Sequence, residues 1–126
     1  MKIETFTHGN LTISVPISQA FYKEVMGEWS IAEEYLSPLL EDPVVGVSYY
    51  EAINFCMRLN EIYEQAPTYL MFGDGTIALY NPKGVRLLTK EEFEMTGLLT
   101  DNHSEWVFGG ETVGSGPLWF RVCMAD

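Results

Sequence analysis

Basic side chains are scarce in this sequence: 7 Lys and Arg stand against 18 Asp and Glu, a formal net charge of −11. A surface of that sign repels phosphate backbones, which excludes general nucleic-acid binding. The acidity fits a basic protein partner, a bound cation or plain solubility. Cysteine is also scarce, with only Cys56 and Cys123. Two cysteines without a CxxC spacing exclude a disulfide scaffold and a zinc ribbon. No apolar run reaches the ~18 residues of a membrane span. The opening Met1-Lys2-Ile3-Glu4-Thr5 has no apolar stretch of signal-peptide length and carries an acid. These absences give the expectation of a cytoplasmic protein, from a bacterium or a virus of bacteria, with both thiols reduced and buried. Internal repeats, low-complexity stretches and linkers are missing too. The 126 residues therefore read as one domain, residues 1–126.

What is present is enough for a core: 47% apolar residues and 13% aromatics at this length. Leu11 to Val15 alternates as a half-buried strand does, and Pro16 ends it. Ser18 caps a helix over Gln19 to Met26, with Ala20, Phe21 and Val25 on its apolar side and Gly27 as its stop. The clearest helix begins after Ser48. Ser48 and Glu51 form a capping box, Ala52, Phe55, Cys56, Leu59 and Tyr63 recur at helical spacing, and the helix runs to about Glu64. Thr68 to Phe72 and Thr76 to Tyr80 flank Gly73-Asp74-Gly75 as a hairpin. Thr89 and Glu92 form a second capping box, for a helix to Thr96 stopped by Gly97. The end is hairpin-like: Trp106 to Phe108, then Glu111 to Val113 between glycine pairs, then Leu118 to Cys123 as a strand. The order predicts an α+β fold with helices packed on an irregular antiparallel sheet.

Several blocks carry a resemblance. Ile17 to Gly27 reads I-S-Q-A-F-Y-K-E-V-M-G. Pro43 to Leu59 reads P-V-V-G-V-S-Y-Y-E-A-I-N-F-C-M-R-L. Gly84 to Glu94 reads G-V-R-L-L-T-K-E-E-F-E, Asp101 to Trp106 reads D-N-H-S-E-W, and Trp119 to Cys123 reads W-F-R-V-C. In this order, over about 105 residues, they resemble the formylglycine-generating-enzyme (sulfatase-modifying-factor) family, whose core is C-type-lectin-like. The resemblance implies a minimal domain of that fold. It also shows departures. The family's R-G-G-S-W segment is missing, and no cysteine lies between Cys56 and Cys123, so the family's thiolate metal site cannot be assembled. In members that carry both remaining cysteine positions, the two form a structural disulfide. The resemblance thus implies that Cys56 and Cys123 are neighbours, with Cα atoms ~4–7 Å apart if they bond.

The candidate sites follow. Thr89 to Glu94 is assigned to structure, with Arg86 pairing an acid such as Glu92. The family's turn near Asn102 and Glu105 lies by calcium, so Asp101, Asn102 and Glu105 are candidate oxygen ligands. His103 reads as a solvated loop histidine. Trp29, Tyr35, Tyr49, Tyr50, Trp106, Phe108 and Trp119 read mostly as core, with about two exposed enough to touch a partner. The glycine-rich loop from Gly109 to Pro117 is the natural contact element. The resulting expectation is a non-catalytic binding or accessory protein. It would engage a basic protein surface through Trp106, Phe108, Glu111 and Trp119, as a phage-encoded modulator of a host protein would. No cofactor is expected unless calcium binds. The alternatives are an enzyme of altered chemistry using His103, Glu105 and a cysteine, or a calcium- or sugar-binding lectin-like module.

Overall fold

A computed structural model describes residues 3–27, 36–81, 83–97 and 103–125. The described chain is mixed α and β, with three helices and three small sheets. Strand β1 (Thr5–His8) turns back through Gly9-Asn10 onto β2 (Leu11–Ser14). On its other edge β2 pairs antiparallel with β8 (Cys123–Ala125), so the first and last described segments share one sheet. The alternation of β2 sends Leu11 and Ile13 inward, against Leu88 and Cys123.

Helix α1 (Gln19–Met26) forms where the cap chemistry predicts. Ser18 Oγ accepts from the Phe21 amide, and Gly27 closes the helix at φ 80°. Its apolar side differs from expectation at one place. Ala20 is exposed, and Tyr22 is fully buried instead, stacked 5.8 Å from Phe55. Buried Gln19 donates to the carbonyls of Ser37 and Leu39 and accepts from the Ser37 amide, which pins the following loop to α1.

Helix α2 (Tyr49–Ile62) carries the predicted capping box of Ser48 and Glu51. Ala52, Ile53, Phe55, Cys56 and Leu59 face the core, where Phe55 meets Phe21, Tyr22 and Phe120. Strands β3 (Tyr69–Met71) and β4 (Ile77–Leu79) make a separate hairpin. The base of this hairpin is tied to α2 by buried Asn60. Its side chain donates to Thr68 Oγ1 and to the Val85 carbonyl, and accepts from the Val85 amide. Gly84 lies against this knot, and a Cβ there would stand 3.0 Å from Asn60 Oδ1. Helix α3 (Lys90–Thr96) has the Thr89–Glu92 box and the Gly97 stop. Glu92 also takes a two-point bond from Arg86, at 2.6 and 2.8 Å.

The late segment departs from the predicted single antiparallel sheet. Strand β5 (Ser104–Val107) is central, with β6 (Glu111–Gly114) antiparallel on one side and β7 (Leu118–Trp119) parallel on the other. The chain reverses twice between β5 and β7, so β7 regains the direction of β5. The expected closing strand is also split. Residues 120–122 leave the β5 sheet and cross the core, with Phe120 fully buried, before β8 joins β2.

Candidate functional site

In strand β5, period-two alternation turns Glu105 and Val107 to one side and Ser104 and Trp106 to the other. Strand β5 has neighbours on both edges, and side chains on both of its faces are largely covered, with Glu105 only 1% exposed. A carboxylate there must be matched by donors. Arg121 supplies them: its Nε lies 2.9 Å from each Glu105 oxygen, and its Nη2 donates to Oε1 as well. The Trp119 indole donates to Glu105 Oε1 at 3.0 Å, and His103 Nε2 lies 2.9 Å from the same oxygen. Since a carboxylate only accepts, Nε2 is the protonated nitrogen of this contact. The His103 ring stacks on Trp119 with centroids 3.9 Å apart.

This geometry corrects three expectations. Glu105, a candidate calcium ligand, is buried, and its oxygens accept from Arg121, Trp119 and His103. Asp101 and Asn102 lie outside the described residues, as do Trp29 and Tyr35. Among the described residues, no three His, Cys, Asp or Glu side chains converge as a metal site. His103 is buried rather than solvated. Trp119, expected at the partner surface, spends its indole N–H on Glu105.

Trp106 and Phe108 are likewise half-buried and packed on the core. The Trp106 indole donates to the Val47 carbonyl at 2.7 Å, and Phe108 stacks on Tyr69. Glu111 is exposed, as expected. Of the five described aromatics considered as contacts, Tyr50 is the exposed one, at 49%. The sequence pattern placed both tyrosines at the first turn of α2, and that turn faces two others. Tyr49 Oη accepts from the Gly109 amide at 2.9 Å, and Tyr50 Oη donates to the Gly75 carbonyl at 3.2 Å. Between Tyr49 and Tyr50, the hairpin tip at Gly75–Ile77 and the Gly109–Gly110 turn lies a groove of about 380 Å³. Gly109 and Gly110 both have positive φ, and a Cβ on Gly110 would stand 3.5 Å from the Tyr49 ring. Burial raises the Tyr49 hydroxyl above its usual range, against the lowering effect of its bond from Gly109. Tyr49 therefore stays a neutral phenol at ordinary pH.

The β3–β4 hairpin adds a feature that sequence reasoning missed. Tyr69 and Ile77 turn inward, though Met71 and Leu79 on the same side are 51% and 37% exposed, while on the outer side Leu70, Phe72 and Tyr80 stand 43%, 53% and 64% exposed around half-buried Ala78. The run Thr68 to Phe72 has no polar alternation, which reads as a strand covered on both faces. The structure leaves the outer face open and covers the other only at Tyr69 and Ile77.

The two thiols are free and buried. They are near enough that charge on Cys123 would raise the Cys56 pKa, although burial is the larger cause. Burial pushes Cys123 up to about 12. Neither is a ready thiolate at neutral pH. Cys123 also lines a second, apolar hollow of about 410 Å³ between the β1-β2-β8 sheet and α2.

The chain is similar to Treponema denticola variable protein 1. The two superpose with a TM-score of 0.64 at 16% identity, over 92% of this chain and 84% of that one. At that identity the likeness to Treponema denticola variable protein 1 concerns the fold. No family model and no curated protein sequence matches the chain. No helix among the described residues is long and apolar enough to cross a membrane.

Proposed function

We propose that this chain is a shortened C-type-lectin-like domain of the formylglycine-generating-enzyme kind, acting in the cytoplasm as a non-catalytic binding protein for a basic protein surface. The observation that carries the reading is the groove face. Tyr50 at the groove and Glu111 beside it are exposed, and so is the outer side of the β3–β4 hairpin across from the groove, although an apolar strip of this kind gains nothing from water. The family-like blocks support the fold through the work they do. Ser48 with Glu51, Arg86 with Glu92, and Glu105 with Arg121 each close a polar account that the fold would otherwise leave open. Net charge −11 supports a basic partner, since complementary potentials speed encounter and suppress wrong partners. The contact residues shift relative to expectation, from Trp106, Phe108 and Trp119 to Tyr50 and the hairpin, with Glu111 retained.

The test is affinity capture from the native host with the wild type and with Tyr50→Ala/Glu111→Lys in parallel. A basic protein held in stoichiometric amount by the wild type and lost by the double variant is the expected result. Equal retention by both, or nothing above background, counts against the reading.

A further inference from the structure

The hairpin register determines which backbone groups are spent. Phe72 N–H donates to the Thr76 carbonyl and Tyr80 N–H to the Thr68 carbonyl, and Leu70 lies opposite Ala78. Residues 68, 70 and 72 therefore face 76, 78 and 80. In an antiparallel ladder the alternate residues turn their N–H and C=O groups outward. On β4 these are Ile77 and Leu79, whose main-chain groups have no hydrogen-bond partner among the described residues. The groove touches Gly75 and Thr76 of the hairpin turn and Ile77 of β4, and no residue of β3, so the open edge of β4 is the one beside it.

We infer that this edge accepts an extended segment of the partner as an added strand, a reading that builds on the binding face proposed above. Main-chain pairing would engage Ile77 and Leu79. Alternate side chains of the segment would then cover Ala78 and its apolar neighbours on one side and enter the Tyr49–Tyr50 groove on the other. The charges select the occupant. Residues 68–80 carry one ionic side chain, Asp74, and the groove lining holds no Lys or Arg. Glu51 follows Tyr50, and Glu111 follows Gly110. A second copy of this chain would bring another −11 to an already acidic face. The fitting segment is therefore extended, apolar at alternate positions and flanked by Lys or Arg.

The probe is a library of short random linear peptides selected against the whole chain. Selected peptides should alternate apolar residues between basic flanks. Their binding should slow exchange of the Ile77 and Leu79 amide protons. Leu79→Pro deletes an outward N–H that the hairpin does not use, which an edge strand tolerates. It should weaken binding about tenfold or more, roughly 1.4 kcal/mol. Leu79→Lys keeps the N–H and places a cation against the basic flanks, so it should weaken binding without relying on proline being tolerated. The inference is overturned if no peptide is selected, or if bound peptides leave the exchange of both amides unchanged. It is also overturned if sedimentation finds a wild-type dimer that Leu79→Lys dissolves. A host partner lost by Tyr50→Ala/Glu111→Lys but kept by both Leu79 variants would leave the binding face standing and remove strand addition alone.

Discussion

The β5–β7 region and the β3–β4 hairpin invert each other. The first buries an ion pair: Glu105 and Arg121 sit inside beside His103, and each finds hydrogen-bond partners there. The second exposes hydrocarbon: Leu70, Phe72 and Tyr80 stand in water on a two-stranded ribbon. Burying an ion pair gains little over an apolar replacement, but leaving one partner alone is costly. Exposing an apolar strip gains nothing for folding at all. The first region is therefore explained by the fold it holds together, because it ties the strand that enters the core at Phe120 to the late sheet. The second is left for an intermolecular task, and the contrast separates structural residues from contact residues better than residue type does. Trp119 and Trp106 look like a binding surface by composition, yet they are braces.

The contrast breaks most visibly at Glu105. Glu105→Ala leaves Arg121 buried without its counter-charge, a loss of about 3–5 kcal/mol. For a chain of this length that lowers the melting temperature by on the order of 10–20 °C. Circular dichroism melts check it, and the double variant Glu105→Leu/Arg121→Met should recover most of the loss. Failure of the double variant to recover would mean that the cluster does more than hold the fold.

The hairpin base should respond next. At Gly84 an added methyl meets Thr68, Asn60 and the Ala66 carbonyl, all inside the Asn60 knot. Gly84→Ala should cost about 1–3 kcal/mol by overpacking. Denaturant titration reads the loss directly. In hydrogen exchange, the amides of the hairpin bonds from Phe72 and Tyr80 should lose protection before those of α1.

A smaller effect is expected at Glu92. Burial pushes its carboxyl up, but the bonds from Arg86 and from the Thr89 amide outweigh that and hold it below its ordinary value. A depressed folded pKa adds stability above the unfolded value, near ~4.3 for Glu, and that stability is lost as pH falls through the folded value. The wild type should thus lose stability on the acid side more steeply than Glu92→Gln, and equal slopes in melts across that range would contradict the assignment.

Local chemistry made much of the fold legible. Ser18 with Gly27, Ser48 with Glu51, and Thr89 with Glu92 and Gly97 mark the three described helices, because caps are satisfied within a few residues. Long-range pairing was less legible. That β7 lies parallel to β5, and that Leu118 to Cys123 divides between two sheets, depends on where the chain crosses the core, which no short window encodes. The Glu105–Arg121 pair spans sixteen positions, and a lone Glu beside a lone His resembles a loop site until the partner is known. Binary patterning failed at the hairpin for the opposite reason. Period two assigns Leu70, Phe72, Ala78 and Tyr80 to one face but cannot say whether that face is covered.

That last ambiguity gives the finest test. Replacing Leu70, Phe72 and Tyr80 together by Thr keeps good strand formers on an outer face that the fold does not bury. Surface changes of this kind usually stay within ~0.5 kcal/mol each. The triple variant should therefore melt within a few degrees of the wild type and lose its partner. A steep drop in melting temperature would show that the strip holds the hairpin to its own chain, and the open face would then no longer speak for a partner. Unchanged stability with unchanged capture would confine the contact to Tyr50 and Glu111 at the groove. Only unchanged stability with lost capture assigns the exposed hydrocarbon to recognition, because folding alone then gives no reason for it.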